Sequence, residues 1–119
     1  MILALLLQAA VAATPVPPAP TLTGTWTVDL RLKPTDPVYE RPMDLVLAPD
    51  GTVSGLFYQS PIDAGRWKND RGRICTSFRT HDARGPYHTS ACLRGDVVEG
   101  QTGAEARSFL FNWIAVRTK

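Results

Sequence analysis

Cysteine is scarce in this 119-residue chain: there are two, and they are not spaced Cys-x-x-Cys, so neither a dithiol relay nor a zinc site of the usual spacing is indicated. Histidine is as rare. His81 and His88 have Asp82 nearby, but with only two imidazoles they read as surface residues at strand edges, not as a metal site or a general base. No serine lies in a nucleophile motif, and no glycine-rich loop follows a strand to cradle a phosphate. Catalysis therefore lacks a constellation, and a non-enzyme without metal or cofactor is expected. An excess of one charge is missing too. The net of +2 is too small for nucleic-acid binding, although Arg66, Lys68, Arg71, Arg73, Arg79 and Arg84 face only Asp70 and Asp82 locally. That run reads as solvated strand faces and turns.

Long apolar runs are also absent. The longest, 1–13, falls short of the about 20 residues that cross a bilayer, so no stable membrane insertion is expected. It is uncharged and ends in small residues, with Val11 and Ala13 at the −3 and −1 positions of a secretory cleavage site. No cysteine follows to take a lipid anchor. Residues 14–21 contain four prolines, which cannot donate to a sheet and favour an extended polyproline tether. The globular domain is then 22–119, exported to the periplasm or the medium.

What the domain does have is period-two alternation. A first strand over 22–33 puts Trp26, Val28, Leu30 and Leu32 on one face, opposite Thr25, Thr27, Asp29, Arg31 and Lys33. After a loop at 34–42, Met43, Leu45 and Leu47 alternate with Asp44 and Val46. Ala48-Pro49-Asp50-Gly51 suits a type I turn followed by a left-handed glycine. Counting outward from it pairs Leu47 with Val53, Leu45 with Gly55 and Met43 with Phe57. A weaker strand, 62–67, lacks clean alternation. Strands over 73–81 and 86–94 flank a symmetric turn at 82–85, which pairs Thr76 with Ala91, Phe78 with Thr89 and Thr80 with Tyr87 on one face. Two more, 96–102 and 107–117, bring the count to eight, with no helical period in the domain.

The same turn-counting sets Cys75 opposite Cys92. In an exported protein such a pair is expected to be bridged, stabilising by roughly 3 kcal/mol through the loop it closes. An antiparallel meander of eight strands can close on itself, pairing the first strand with the last. Closure places Trp26 beside Arg117, and a guanidinium on an indole face contributes roughly 0.5–2 kcal/mol.

This pairing of Gly24-Thr25-Trp26 on the first strand with Arg117 on the last resembles the signature of the calycin superfamily, which includes lipocalins, avidins and small bacterial barrel inhibitors. The resemblance covers nearly all of 22–119 and implies an all-β fold, an eight-stranded antiparallel up-and-down barrel. Gly24, Trp26 and Arg117 are its structural residues. Barrels of this size hold either their own side chains or one small ligand. Alternate loops share an end, so those at 34–42, 60–61, 82–85 and 103–106 cluster opposite the Trp26–Arg117 plug. A small, mostly apolar ligand entering there meets Leu32, Tyr39, Met43, Phe57, Thr80, Tyr87 and Phe109. The hydroxyls of Thr80 and Tyr87 are the expected polar contacts, and the loop carrying Tyr39 is the expected lid. The alternative is a packed barrel, filled by Phe57, Phe78, Phe109 and Phe111, that acts on a protein partner; a monomer is expected in either case. Small secreted barrel inhibitors of metalloproteases share the length, the export and an N-terminal arm, but place their cysteines earlier in the chain.

Overall fold

Alternation resolves into nine strands in a computed structural model that describes residues 21–119. They are β1 (Gly24–Asp29), β2 (Glu40–Leu47), β3 (Thr52–Phe57), β4 (Ser60–Pro61), β5 (Asp63–Asp70), β6 (Arg73–Asp82), β7 (Gly85–Arg94), β8 (Val97–Ala104) and β9 (Phe109–Arg117), with one turn of 3-10 helix at Glu105–Arg107. Each pairs antiparallel with a sequence neighbour, and β1 with β9 closes the ring. The two-residue β4 and β5 form one interrupted stave, so the closed barrel has eight. The expected secretory signal, 1–13, and all but the last residue of the tether, 14–21, lie outside the described residues.

Turn chemistry sets the registers. Gly51, at φ +90°, ends the β2–β3 turn, and the strands pair Met43 with Phe57, Leu45 with Gly55 and Leu47 with Val53. The β6–β7 hairpin pairs Thr76 with Ala91, Phe78 with Thr89 and Thr80 with Tyr87. Cys75 and Cys92 stand opposite, with Cα atoms 4.0 Å apart, and are disulfide-bonded as expected. Their face points away from the core, since the neighbouring Thr76 and Ala91 are the buried residues.

One end is plugged. Trp26 is wholly buried, its indole N–H donates to the carbonyl of Leu22 at 2.8 Å, and the Arg117 guanidinium lies 4.4 Å from its ring centre. Arg117 also donates to the carbonyls of Thr23 and Thr21, at 3.0 and 2.7 Å. Gly24, at φ +140°, explains the glycine of the motif. A Cβ there would meet the guanidinium at 2.6 Å. Above the plug, Met43, Leu45, Val53 and Val98 fill the axis, and Phe57 packs on Trp113 and Phe78 at 5.5 and 5.7 Å between ring centres.

Several boundaries differ from the sequence reading, each for a local reason. β1 stops at Asp29, not at residue 33, because the Asp29 carboxylate accepts from both the backbone N–H and the guanidinium of Arg31, bending the chain out of the sheet. Leu32 is consequently 76% exposed. β2 starts at Glu40, with Pro42 opposite Thr27. The turn after β3 falls at Tyr58–Gln59, not at 60–61, with both residues at positive φ. Alternation fails in the fourth stave because Ala64, also at positive φ, sits in a register shift between Asp63 and Arg66. β9 begins at Phe109 because Glu105–Arg107 coils and Ser108 turns left-handed behind it.

Candidate functional site

Four connections meet at the end opposite the plug: residues 30–39, the Tyr58–Gln59 turn, Ala83–Arg84, and the coil at Glu105–Arg107. The stave ends beneath them do not converge. They enclose an open hollow of about 630 Å³, within the roughly 300–1,000 Å³ of ordinary small-molecule sites. Of the residues expected there, Leu32, Tyr39, Phe57, Thr80, Tyr87 and Phe109 line it. Met43 does not. It is fully buried between Trp26 and Phe57, in the packed half of the barrel.

The floor is aromatic and its deepest polar groups are satisfied, whereas the expected contact Thr80 is buried at the hollow with its hydroxyl in no hydrogen bond among the described residues. Phe57 caps the packed core, while Phe109 and Phe111, ring centres 6.0 Å apart, form the opposite wall. The one polar group reaching the hollow from that depth on β8 is Thr102. Its hydroxyl accepts from the Trp113 indole N–H at 2.9 Å and hydrogen-bonds the Thr89 hydroxyl at 2.9 Å. Those buried polar atoms are committed to one another, as buried groups must be.

The rim has two polar clusters. On one side the hydroxyls of Tyr39 and Tyr58 hydrogen-bond at 2.5 Å, and the Arg41 guanidinium lies 4.6 Å from the centre of the Tyr39 ring. Tyr39 thus ties the 30–39 loop, itself closed by the Leu30 N–H on the Tyr39 carbonyl at 2.8 Å, to the β3 turn. The hydrogen bond to Tyr39, helped by burial, raises the Tyr58 phenol above its ordinary pKa. On the other side the Tyr87 hydroxyl donates to Asp82 Oδ2 at 2.8 Å and accepts from Arg107 at 2.8 Å. Asp82 Oδ1 takes the backbone N–H of Arg84 at 2.7 Å. The Tyr87 hydrogen bond first, and that backbone bond second, hold the Asp82 carboxyl below the usual carboxylate range.

Sequence reasoning missed Tyr58, Asp82, Arg84, Arg107 and Phe111 as lining residues. Tyr58 was hidden because its turn uses no glycine or asparagine, the residues that normally mark two positive φ values in succession. Asp82 and Arg84 sat in a turn already assigned to this end, so topology alone could have nominated them. Arg107 was read as strand, and only the coil brings it to the rim. The Tyr87 hydroxyl is already fully engaged by Asp82 and Arg107, so it positions those groups and is not a free contact. His81 and His88 lie outside the hollow, on the outer face of the β6–β7 hairpin, opposite Pro86 and Arg79.

A second hollow, of about 670 Å³, lies against the outer wall, where outward residues such as Gln101, Asn112 and Ile114 meet the 30–39 loop at Leu32 and Pro34. Gln101 and Asn112, paired neighbours on β8 and β9, hydrogen-bond at 2.8 Å within its wall. No helix among the described residues is long and apolar enough to cross a membrane. Compared with known proteins, the chain matches no family, no curated protein and no solved structure significantly.

Proposed function

We propose that this chain is an exported, non-enzymatic barrel of the calycin type that takes up one small, mostly apolar molecule through the open end. The observation that carries the reading is the hollow of about 630 Å³ over an aromatic floor, above a core in which Met43, Leu45, Val53 and Val98 are buried. A concave, largely apolar lining left open to solvent is the usual form of a small-molecule site. The disulfide fits an oxidising compartment, in keeping with the apolar leader at 1–13 and its small-residue end. Loops frame the entrance while the sheet beneath is held by continuous ladders, the usual division between a mobile mouth and a rigid scaffold.

Native mass spectrometry of the exported protein, with titration of an apolar fluorescent dye such as N-phenyl-1-naphthylamine, tests the reading. A retained small molecule or 1:1 dye uptake, unchanged after deletion of 14–21, is the expected result. A protein that carries nothing and takes up no dye is not a ligand carrier. Loss of a partner interaction on deleting 14–21 would instead favour an inhibitor arm.

A further inference from the structure

The charged residues lining the hollow are Asp82, Arg84 and Arg107, two guanidiniums against one carboxylate. Both oxygens of Asp82 are taken, one by the Arg84 backbone N–H and the other by the Tyr87 hydroxyl. Neither guanidinium forms an ion pair among the described residues, and residues 1–20 contain no acid that could supply one. The rim therefore carries one more cation than anion: Asp82 attracts both guanidiniums through space, but neither is locked to it in an ion pair among the described residues.

Arg107 is also held in place. It is the last residue of the coil that Ser108 ends in a left-handed conformation, donates to the Tyr87 hydroxyl at 2.8 Å, and lies 5.3 Å from the ring centre of Phe109 and 6.0 Å from that of Tyr87. That contact uses one donor of its planar fork, and the others have no partner among the described residues. The floor has the opposite character, because the Thr102 hydroxyl is consumed by Trp113 and Thr89. A charged group driven down among the rings would lose its water and gain at most the neutral Thr80 hydroxyl. Left at the rim, it meets the guanidinium fork.

We propose that the hollow selects an amphiphile with a single anionic head group, carboxylate or phosphate, held at the rim by Arg107 with help from Arg84, its apolar chain running down to Phe57, Phe109 and Phe111. This rests on the reading of the hollow as a ligand site and adds the sign and the orientation of the ligand. Guanidinium forks match both head groups with paired, charge-assisted hydrogen bonds. A cationic head would face two like charges against the single carboxylate of Asp82.

Competition against a bound apolar dye with four twelve-carbon amphiphiles tests this: dodecanoate, dodecyl phosphate, dodecanol and dodecyltrimethylammonium. At least one anion should compete about tenfold more tightly than the alcohol, a difference of the size one good charge-assisted contact gives. The ammonium compound should be the weakest, and the anion's advantage should shrink as salt is raised. Which anion binds tighter tells a planar head from a tetrahedral one. Arg107→Gln should remove most of the anion's advantage over the alcohol, read as the ratio of the two affinities within the same variant, so that a general loss of binding or a folding defect cancels and only the lost contact shows. Arg84→Gln added to it should leave no salt dependence. Equal affinities for all four, a preference for the ammonium compound, or an anion preference that survives both substitutions overturns the proposal and leaves the ligand site standing. Failure of the dye to bind overturns both.

Discussion

Trp26 and Tyr58 show how differently single residues are used at the two ends of the barrel. Trp26 gives up all of its surface, satisfies its one polar atom on the Leu22 carbonyl and supports the Arg117 guanidinium. Trp26→Ala should cost about 3–5 kcal/mol, as truncating a buried aromatic does, read as a lowered urea midpoint. Loss of less than ~1 kcal/mol would mean the plug contributes little. Tyr58 instead sits half-exposed on a turn with φ +52°, and its neighbour Gln59 has φ +64°. Its phenol is raised above the ordinary tyrosine value of about 10. The neutral form is therefore favoured by folding. The stability this lends is complete below about pH 10 and is lost as pH rises through the higher folded value. Of the three tyrosines, one should ionise late when absorbance near 295 nm is followed, and Tyr39→Phe should return it toward the ordinary range. Unaltered titration in that variant would show that the Tyr39–Tyr58 bond does not cause the shift.

Hairpins were the most legible elements because their turns announce themselves. Pro49-Asp50-Gly51 and the 82–85 turn fix their registers outward through Met43–Phe57 and Thr80–Tyr87. Elements whose ends depend on a side chain gripping backbone were less legible. Alternation alone extends β1 to residue 33, and only the Arg31–Asp29 grip shows why it stops at Asp29. The candidate site inherited that pattern. Residues on staves, Phe57, Thr80, Tyr87 and Phe109, were placed from period two, whereas Tyr58 and Arg107 ride on a turn without glycine and on a coil. Gly55 is the sharpest test at this scale. It sits in β3 at φ +137°, and a Cβ there would fall inside the van der Waals envelope of the Asp44 carbonyl. Gly55→Ala combines a disfavoured backbone with a backbone clash in the β2–β3 ladder, and should cost roughly 3 kcal/mol or more. An unfolding midpoint close to that of the parent would show that the two staves can part locally at little cost.

For the whole molecule, closure shares the load unevenly around the ring. Between β6 and β7 the ladder runs unbroken from Cys75–Cys92 to Asp82–Gly85, and the disulfide ties its far end. Between β3 and β5 only Thr52–Arg66 and Val53–Gly65 pair before the chain bulges, and β4 supplies the rest of that seam. The bridge sits on the outer wall, and neither cysteine lines the hollow at the open end. It closes a loop with a sequence separation of 17, which in the chain-entropy account stabilises by about 3 kcal/mol. For a domain of this size that corresponds to roughly 12–24 °C in Tm. The double variant Cys75→Ala/Cys92→Ala should therefore melt that much lower, yet take up the apolar dye as the parent does at temperatures where it remains folded. The bridge acts on the cost of closing the chain, not on the shape of the mouth. Dye affinity that falls in step with the lost bridge, in protein still folded by far-ultraviolet circular dichroism, would mean that the β6–β7 wall sets the geometry of the hollow as well as its stability. The Asp82–Tyr87–Arg107 cluster, whose first two members lie on that wall, would then be the place to look for the displacement.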